Sequence, residues 1–167
     1  KSRRKKALFL TFDDGPVSGV TESLLDLLKE YNVKATFFVL GKCAEKEPAL
    51  MYRLYNEGHT IANHSYSHPN FTKLNDIEQR NEVNKTNDII SQTTNSSCQL
   101  FRAPQGRWNL KLMYFLWKEK ITAVHWNRDS LDFKKEPAEV IISRFKKQPV
   151  NAGDIILFHD DNNLCIS

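Results

Sequence analysis

Two histidines, His64 and His68 in the run HSYSH, are separated by three residues, and a helical turn would carry both imidazoles on one side. Two imidazoles and one carboxylate leave a tetrahedral zinc ion its fourth position for water, the open arrangement of catalytic sites. Such a pair also occurs in ordinary cores and surfaces, so the carboxylate matters. The run TFDDGP supplies two, Asp13 and Asp14. Asp-Gly-Pro is turn chemistry as well, with Asp13 as a loop cap. A turn needs one acid, however, and adjacent carboxylates repel unless a positive group sits beside them. A metal next to Asp14 and a guanidinium next to Asp13 would remove that repulsion. Arg102, in RAP, is the candidate for the second, with a plain surface arginine as its alternative.

His159 closes the apolar run DIILFH. A histidine emerging from a buried strand is ordinarily a satisfied core residue, and a further role depends on a partner. Asp132, in SLDF, would orient and tune it as carboxylates do in acid/base pairs. His59 and His125 lack such context and read as structural.

These residues need a frame that brings them together. Strands are expected at Ala7–Phe12, Thr36–Leu40, Thr60–Asn63, Gln99–Arg102, Thr122–Trp126 and Asp154–Phe158. Helices are expected at Val20–Tyr31, Pro48–Asn56, Ile77–Thr93, Leu110–Lys120 and Pro137–Lys147. Strand alternating with helix implies parallel pairing through crossovers, an α/β layered or barrel fold. In such folds chemistry collects at the carboxyl ends of the strands. Asp13 and Asp14 follow the first strand, His64 and His68 the third, Arg102 the fourth, Asp129 and Asp132 the fifth, and His159 the sixth.

The 167 residues, 40% hydrophobic and 26% charged, suit one globular domain over 7–167, preceded by a basic tail at 1–6. The formal charge of +4 rests on that tail: without Lys1, Arg3, Arg4, Lys5 and Lys6, 19 basic residues face 20 acidic ones. A nucleic-acid-binding surface is therefore not expected on the folded body. No apolar run approaches the roughly 18 residues of a membrane span, and the basic start with its short apolar run reads as a strand after a tail rather than a signal peptide. Cys43, Cys98 and Cys165, far apart and odd in number, read as small buried thiols. Of the glycosylation sequons at Asn63, Asn70, Asn84 and Asn95, the first adjoins His64, where a glycan would block the site.

TFDDGP, HSYSH, RAPQG, DSLDF and ILFH, in that order, resemble the five motifs of the polysaccharide deacetylase family, the NodB-homology group also called carbohydrate esterase family 4. The resemblance covers about positions 7 to 160. It implies a distorted (β/α) barrel. It implies that Asp14, His64 and His68 hold zinc, with cobalt or nickel as substitutes, and that Asp13 is a general base tethered by Arg102. Asp132 would tune the general acid His159, Leu157 and Phe133 would line the acetyl pocket, and the main-chain N–H of Gln105 would meet the oxyanion. The expected partner is an acetylated amino-sugar polysaccharide or oligosaccharide of the peptidoglycan or chitin kind, met in the cell envelope or outside the cell. Two other readings are an O-acetyl esterase on acetylated xylan and an inactive carbohydrate-binding homologue, which would need neither Asp13 nor His159. Gln105 stands where the family usually has an aromatic residue and Phe133 where it has tryptophan, changes expected to affect substrate choice. The chain stops eight residues after His159, where the family continues with a helix and a strand, so the barrel is expected to lack its last elements.

Overall fold

The computed structural model describes residues 7–166, so the basic tail at 1–6 lies outside the described residues. Among the described residues seven strands form one sheet: β1 (Phe9–Asp13), β2 (Thr36–Val39), β3 (Thr60–Asn63), β4 (Leu100–Phe101), β5 (Thr122–Ala123), β6 (Arg128–Asp129) and β7 (Ile155–His159). Their order is β5-β4-β3-β2-β1-β7-β6, with every pairing parallel. Six helices connect them: α1 (Val20–Glu30), α2 (Gly41–Lys46), α3 (Pro48–Asn56), α4 (Asp76–Thr94), α5 (Leu110–Lys118) and α6 (Ala138–Lys147). The α/β alternation, the parallel pairing and an open barrel are as expected.

Chain connectivity forces the sheet to curl. The outer strands β5 and β6 are joined by four residues, 124–127, which reach at most about 18 Å. Seven flat strands would put those edges about 29 Å apart. The sheet therefore bends into a half-barrel, and residues 124–127 cross its gap.

Two details differ from the sequence expectation. The strand expected at Thr122–Trp126 ends at Ala123, because the chain must leave β4 there and cross to pair with β7. Asp129 consequently lies within β6 rather than in a loop after the fifth strand. Helix α2 was not expected: GKCAEK carries one buried alanine and no apolar stripe. Its first N–H groups, from Gly41 and Lys42, donate to the carbonyls of Ser65 and Tyr66, 3.0 and 3.1 Å away.

The core has two parts. Phe12, Phe37, Leu24, Leu25, Met51 and Leu54 pack β1 and β2 against α1 and α3, with Phe12 and Phe37 stacked at 5.2 Å. Phe71, Val83, Phe101, Leu112 and Leu116 form the second beneath β4 and α5. Phe101, fully buried, meets Phe71 and Trp108 edge-on. Phe101→Ala is expected to lower stability by about 3–5 kcal/mol, read as an earlier urea midpoint with an unchanged slope; a shift under 1 kcal/mol would mean the site collapses around the loss. The three cysteines are free, Cys98 buried and the others half-buried. His59 accepts from the Ala35 N–H at 3.2 Å and stands edge-to-face with Phe37.

Candidate active site

Sheet register assembles the site. Asp13, the last residue of β1, pairs with His159, the last of β7. On the other side Asn63, ending β3, pairs with Phe101 of β4, which sets His64 and Arg102 side by side on the same rim. A pocket of about 470 Å³ opens there, lined by Asp13, Asp14, His64, His68 and His159, with Gln105, Phe133 and Leu157 also on its wall.

Asp13 is buried, and its Oδ1 accepts from Arg102 Nη1 at 2.7 Å. The same nitrogen donates to Thr11 Oγ1 at 2.8 Å, whose hydroxyl donates in turn to the Ile156 carbonyl. Burial pushes the Asp13 carboxyl up to about 6, although the Arg102 charge pulls the other way. Arg102 is wholly buried, with Phe38 3.9 Å from its guanidinium carbon and Trp126 at 5.6 Å. Aromatic faces on a desolvated guanidinium offset part of the cost of burying it. Thr11 and Trp126 escaped the sequence reading. Thr11 was the one polar side chain inside an apolar strand run, a signal that was present, whereas Trp126 reaches the site only because its segment crosses the barrel gap.

Asp14 sits at φ 79°, in the left-handed region that few side-chain-bearing residues adopt. Its Oδ1 is buried without a hydrogen-bond partner and lies 3.6 Å from His64 Nε2 and 3.5 Å from His68 Nε2. His64 Nδ1 faces the Arg102 carbonyl at 2.8 Å. A carbonyl can only accept, so Nδ1 carries the hydrogen and the Nε2 lone pair points toward Asp14, the outer bond that fixes a metal-binding imidazole. Burial lowers His64 to about 3, keeping it neutral. One ligand atom each from Asp14, His64 and His68 lies within 4.8 Å of the others. An orphaned carboxylate oxygen facing two imidazole nitrogens, one of them held neutral, fits a divalent cation.

No helix brings the histidines together; the expected helical turn is replaced by an irregular loop with Ser65 at φ 73° and His68 at φ 63°. The loop is held by side chains instead. Asn63 Oδ1 accepts from the Ser65 N–H, and Glu82 of α4 accepts from the N–H groups of Tyr66 and Ser67 and from the Ser67 hydroxyl. The imidazole centroids lie 5.2 Å apart. Asn63 is fully buried and also donates to Val83 and Asn87, so the sequon there is closed to a glycan.

On the far strand His159 Nδ1 meets Asp132 Oδ1 at 2.7 Å, while the His159 N–H donates to Oδ2 at 2.8 Å. Burial alone would lower the imidazole; the Asp132 bond and charge, with Asp13 and Asp14, raise it to about 9. Asp132 stays below the usual carboxylate range despite burial, because His159 bonds it. Phe133, half-exposed, stands edge-on to His159 at 5.9 Å. Gln105 takes φ 58° in a 3-10 turn. There Gly106 lies so close to Trp126 and His125 that a β-carbon would come within 2.9 and 3.0 Å of them.

A family model described as "Polysaccharide deacetylase" matches residues 1–124. A peptidoglycan-N-acetylglucosamine deacetylase of Bacillus cereus is 39% identical over 155 residues, covering 93% of this chain and 56% of that protein. A chitooligosaccharide deacetylase of a Bradyrhizobium species is 34% identical over 156 residues, covering 93% of this chain and 71% of that one. The crystal structure of the Bc1960 peptidoglycan N-acetylglucosamine deacetylase superposes with a TM-score of 0.92 at 38% identity, over 96% of this chain and 76% of that chain. The chain thus spans a little over half the length of the Bacillus cereus protein.

Proposed function

The chain belongs to the polysaccharide deacetylase family, and from that membership and the rim geometry we propose that it is a metal-dependent hydrolase removing N-acetyl groups from N-acetylglucosamine-containing polysaccharide, peptidoglycan or chitin-like, with release of acetate. One observation carries the reading. A carboxylate and an imidazole, each with its own buried partner, line the same pocket as the Asp14, His64 and His68 cluster. The peptidoglycan and chitooligosaccharide deacetylases it resembles support the substrate class and a place of action at the cell envelope. Among the described residues no helix is long and apolar enough to cross a membrane.

Asp14, His64 and His68 would hold the ion, zinc by the chemistry of one oxygen and two nitrogen donors. Such an ion polarises a carbonyl and lowers the pKa of water from about 16 toward 7. The residues around it handle protons and position. Asp13 Oδ1 is held by Arg102, which leaves Oδ2 to take the proton from the attacking water. The Gln105 main-chain N–H serves as an oxyanion donor. His159, with Nδ1 held by Asp132, presents Nε2 to protonate the departing amine, a poor leaving group without that proton. Phe133 and Leu157 enclose the methyl group. With Asp13 near 6 and His159 near 9, both groups stand in the required forms at neutral pH.

The reading is tested by acetate release from N-acetylglucosamine oligomers and peptidoglycan against acetylxylan, after chelation and with zinc or cobalt restored. Release from the ester alone would replace the amidase reading with an esterase one, and no release from any substrate would leave a carbohydrate-binding homologue. The pH profile of kcat/KM is expected to be bell-shaped. The acidic limb falls at or below about 6, because Asp13 must be ionised and a nearby cation lowers it further; the alkaline limb lies near 9, where His159 loses its proton. Asp132→Asn removes the charge that raises His159, so the alkaline limb moves down toward 6.5, its ordinary value. An alkaline limb unmoved by that substitution would take the acid role from His159.

A further inference from the structure

One buried acid beside the site takes no part in the proton transfers. Asp160 follows His159 and is 1% exposed. Both carboxylate oxygens are bonded: Gly15 N–H donates to Oδ1 at 2.9 Å and the Thr21 hydroxyl to Oδ2 at 2.8 Å. The Thr21 oxygen accepts in turn from the Val17 N–H at 2.8 Å, and the Asp160 N–H donates to the Asp13 carbonyl at 3.1 Å. The loop from Asp13 to Val17 is therefore tied to the residue after β7 directly at Asp13 and Gly15, and at Val17 through Thr21. On its other side the Gly15 carbonyl accepts from the Leu40 N–H at 3.0 Å, so Gly15, the residue following Asp14, is anchored through both its backbone N–H and its carbonyl.

The fit leaves no slack. A β-carbon on Gly15 would lie 2.1 Å from Asp160 Oδ2, so the carboxylate approaches this closely only because residue 15 lacks a side chain. Asp14, immediately before it, is held at φ 79°, a backbone state that persists only where surrounding contacts over-determine it.

We propose that Asp160 is a positioning residue for the metal site: by bonding the Gly15 N–H and Thr21, it holds Asp14 in its left-handed conformation with Oδ1 facing His64 and His68. This rests on the reading that these three side chains bind a divalent cation. It assigns Asp160 no contact with ion or substrate, only the orientation of the loop that carries Asp14.

The test is zinc affinity of the full chain by chelator competition, below the melting temperature of each apo variant. Asp160→Ala leaves the Gly15 N–H and the Thr21 hydroxyl without acceptors and is expected to weaken zinc about 10- to 100-fold, the cost typical of losing an outer partner of a metal ligand. Asp160→Asn keeps an acceptor for Gly15 and offers its amide to the Thr21 oxygen, so affinity returns to within a few-fold of the parent. Thr21→Val removes one donor and gives a smaller loss in the same direction, serving as the second variant if Asp160→Ala does not fold. A contribution to general stability alone would lower the melting temperature while leaving the zinc affinity of folded protein unchanged. Unchanged affinity in both Asp160→Ala and Thr21→Val, or in Thr21→Val alone if the alanine variant is unfolded, would overturn the role. A parent chain that binds no zinc would overturn the metal reading and this inference with it.

Discussion

Asp13→Asn is expected to lower kcat by about 10²- to 10⁴-fold, the usual contribution of a positioned general base, while zinc affinity stays within a few-fold of the parent. The amide keeps the shape of the side chain and still accepts from Arg102 Nη1, but it cannot take the proton from water. Asp14, His64 and His68, the set that would hold the ion, are untouched. The substitution also removes the carboxylate that, among the described residues, is bonded to the wholly buried Arg102 guanidinium. Breaking a buried pair by removing one partner typically costs about 3–5 kcal/mol, so the melting temperature should fall as well, and rates must be compared well below it. Acetate release and chelator-competition zinc titration on the same preparation separate the effects. Full activity in Asp13→Asn would refute the base assignment.

His64→Ala is expected to abolish zinc binding at concentrations that saturate the parent, a larger loss than the roughly 10- to 100-fold cost of an outer partner. It removes one nitrogen of the proposed three-ligand set, and activity is expected to go with the metal. Because His64 is buried and its Nδ1–H donates to the Arg102 carbonyl, the alanine variant also leaves that carbonyl unpaired and a void beneath the loop. His68→Ala is the cleaner companion, since His68 is partly exposed. A folded His68→Ala protein with parental zinc affinity would remove His68 from the ligand set, and the same result in His64→Ala would dissolve the site.

Much of the candidate site's placement was legible in the chain because strand ends announce themselves locally. An expected strand ending at or just before Asp13, His64, Arg102 or His159 puts that side chain on the rim of a parallel sheet, whichever strands turn out to be neighbours. Parallel pairing followed from the alternation of strand and helix for the same reason. Short pieces were not legible. β6 is two residues long, and it is a strand only because β7 offers it an edge. α2 exists because the histidine loop supplies acceptors for its first N–H groups.

Which residue types could perform this chemistry was thus a property of the sequence by itself: paired aspartates, a histidine pair, an arginine, and a further histidine with an aspartate to hold it. What only the tertiary structure decided is how they meet. Arg102 reaches Asp13 across 89 residues and Asp160 reaches Gly15 across 145. The backbone states of Asp14, Ser65 and His68 are ones their own side chains disfavour. Local propensity cannot encode a conformation that is stable only because distant groups hold it. For that reason the mutual placement of Asp14, His64 and His68, the loop in place of a helical turn, and the contacts made by Thr11, Trp126 and Asp160 became visible only once the sheet had curled and brought its strand ends to one rim.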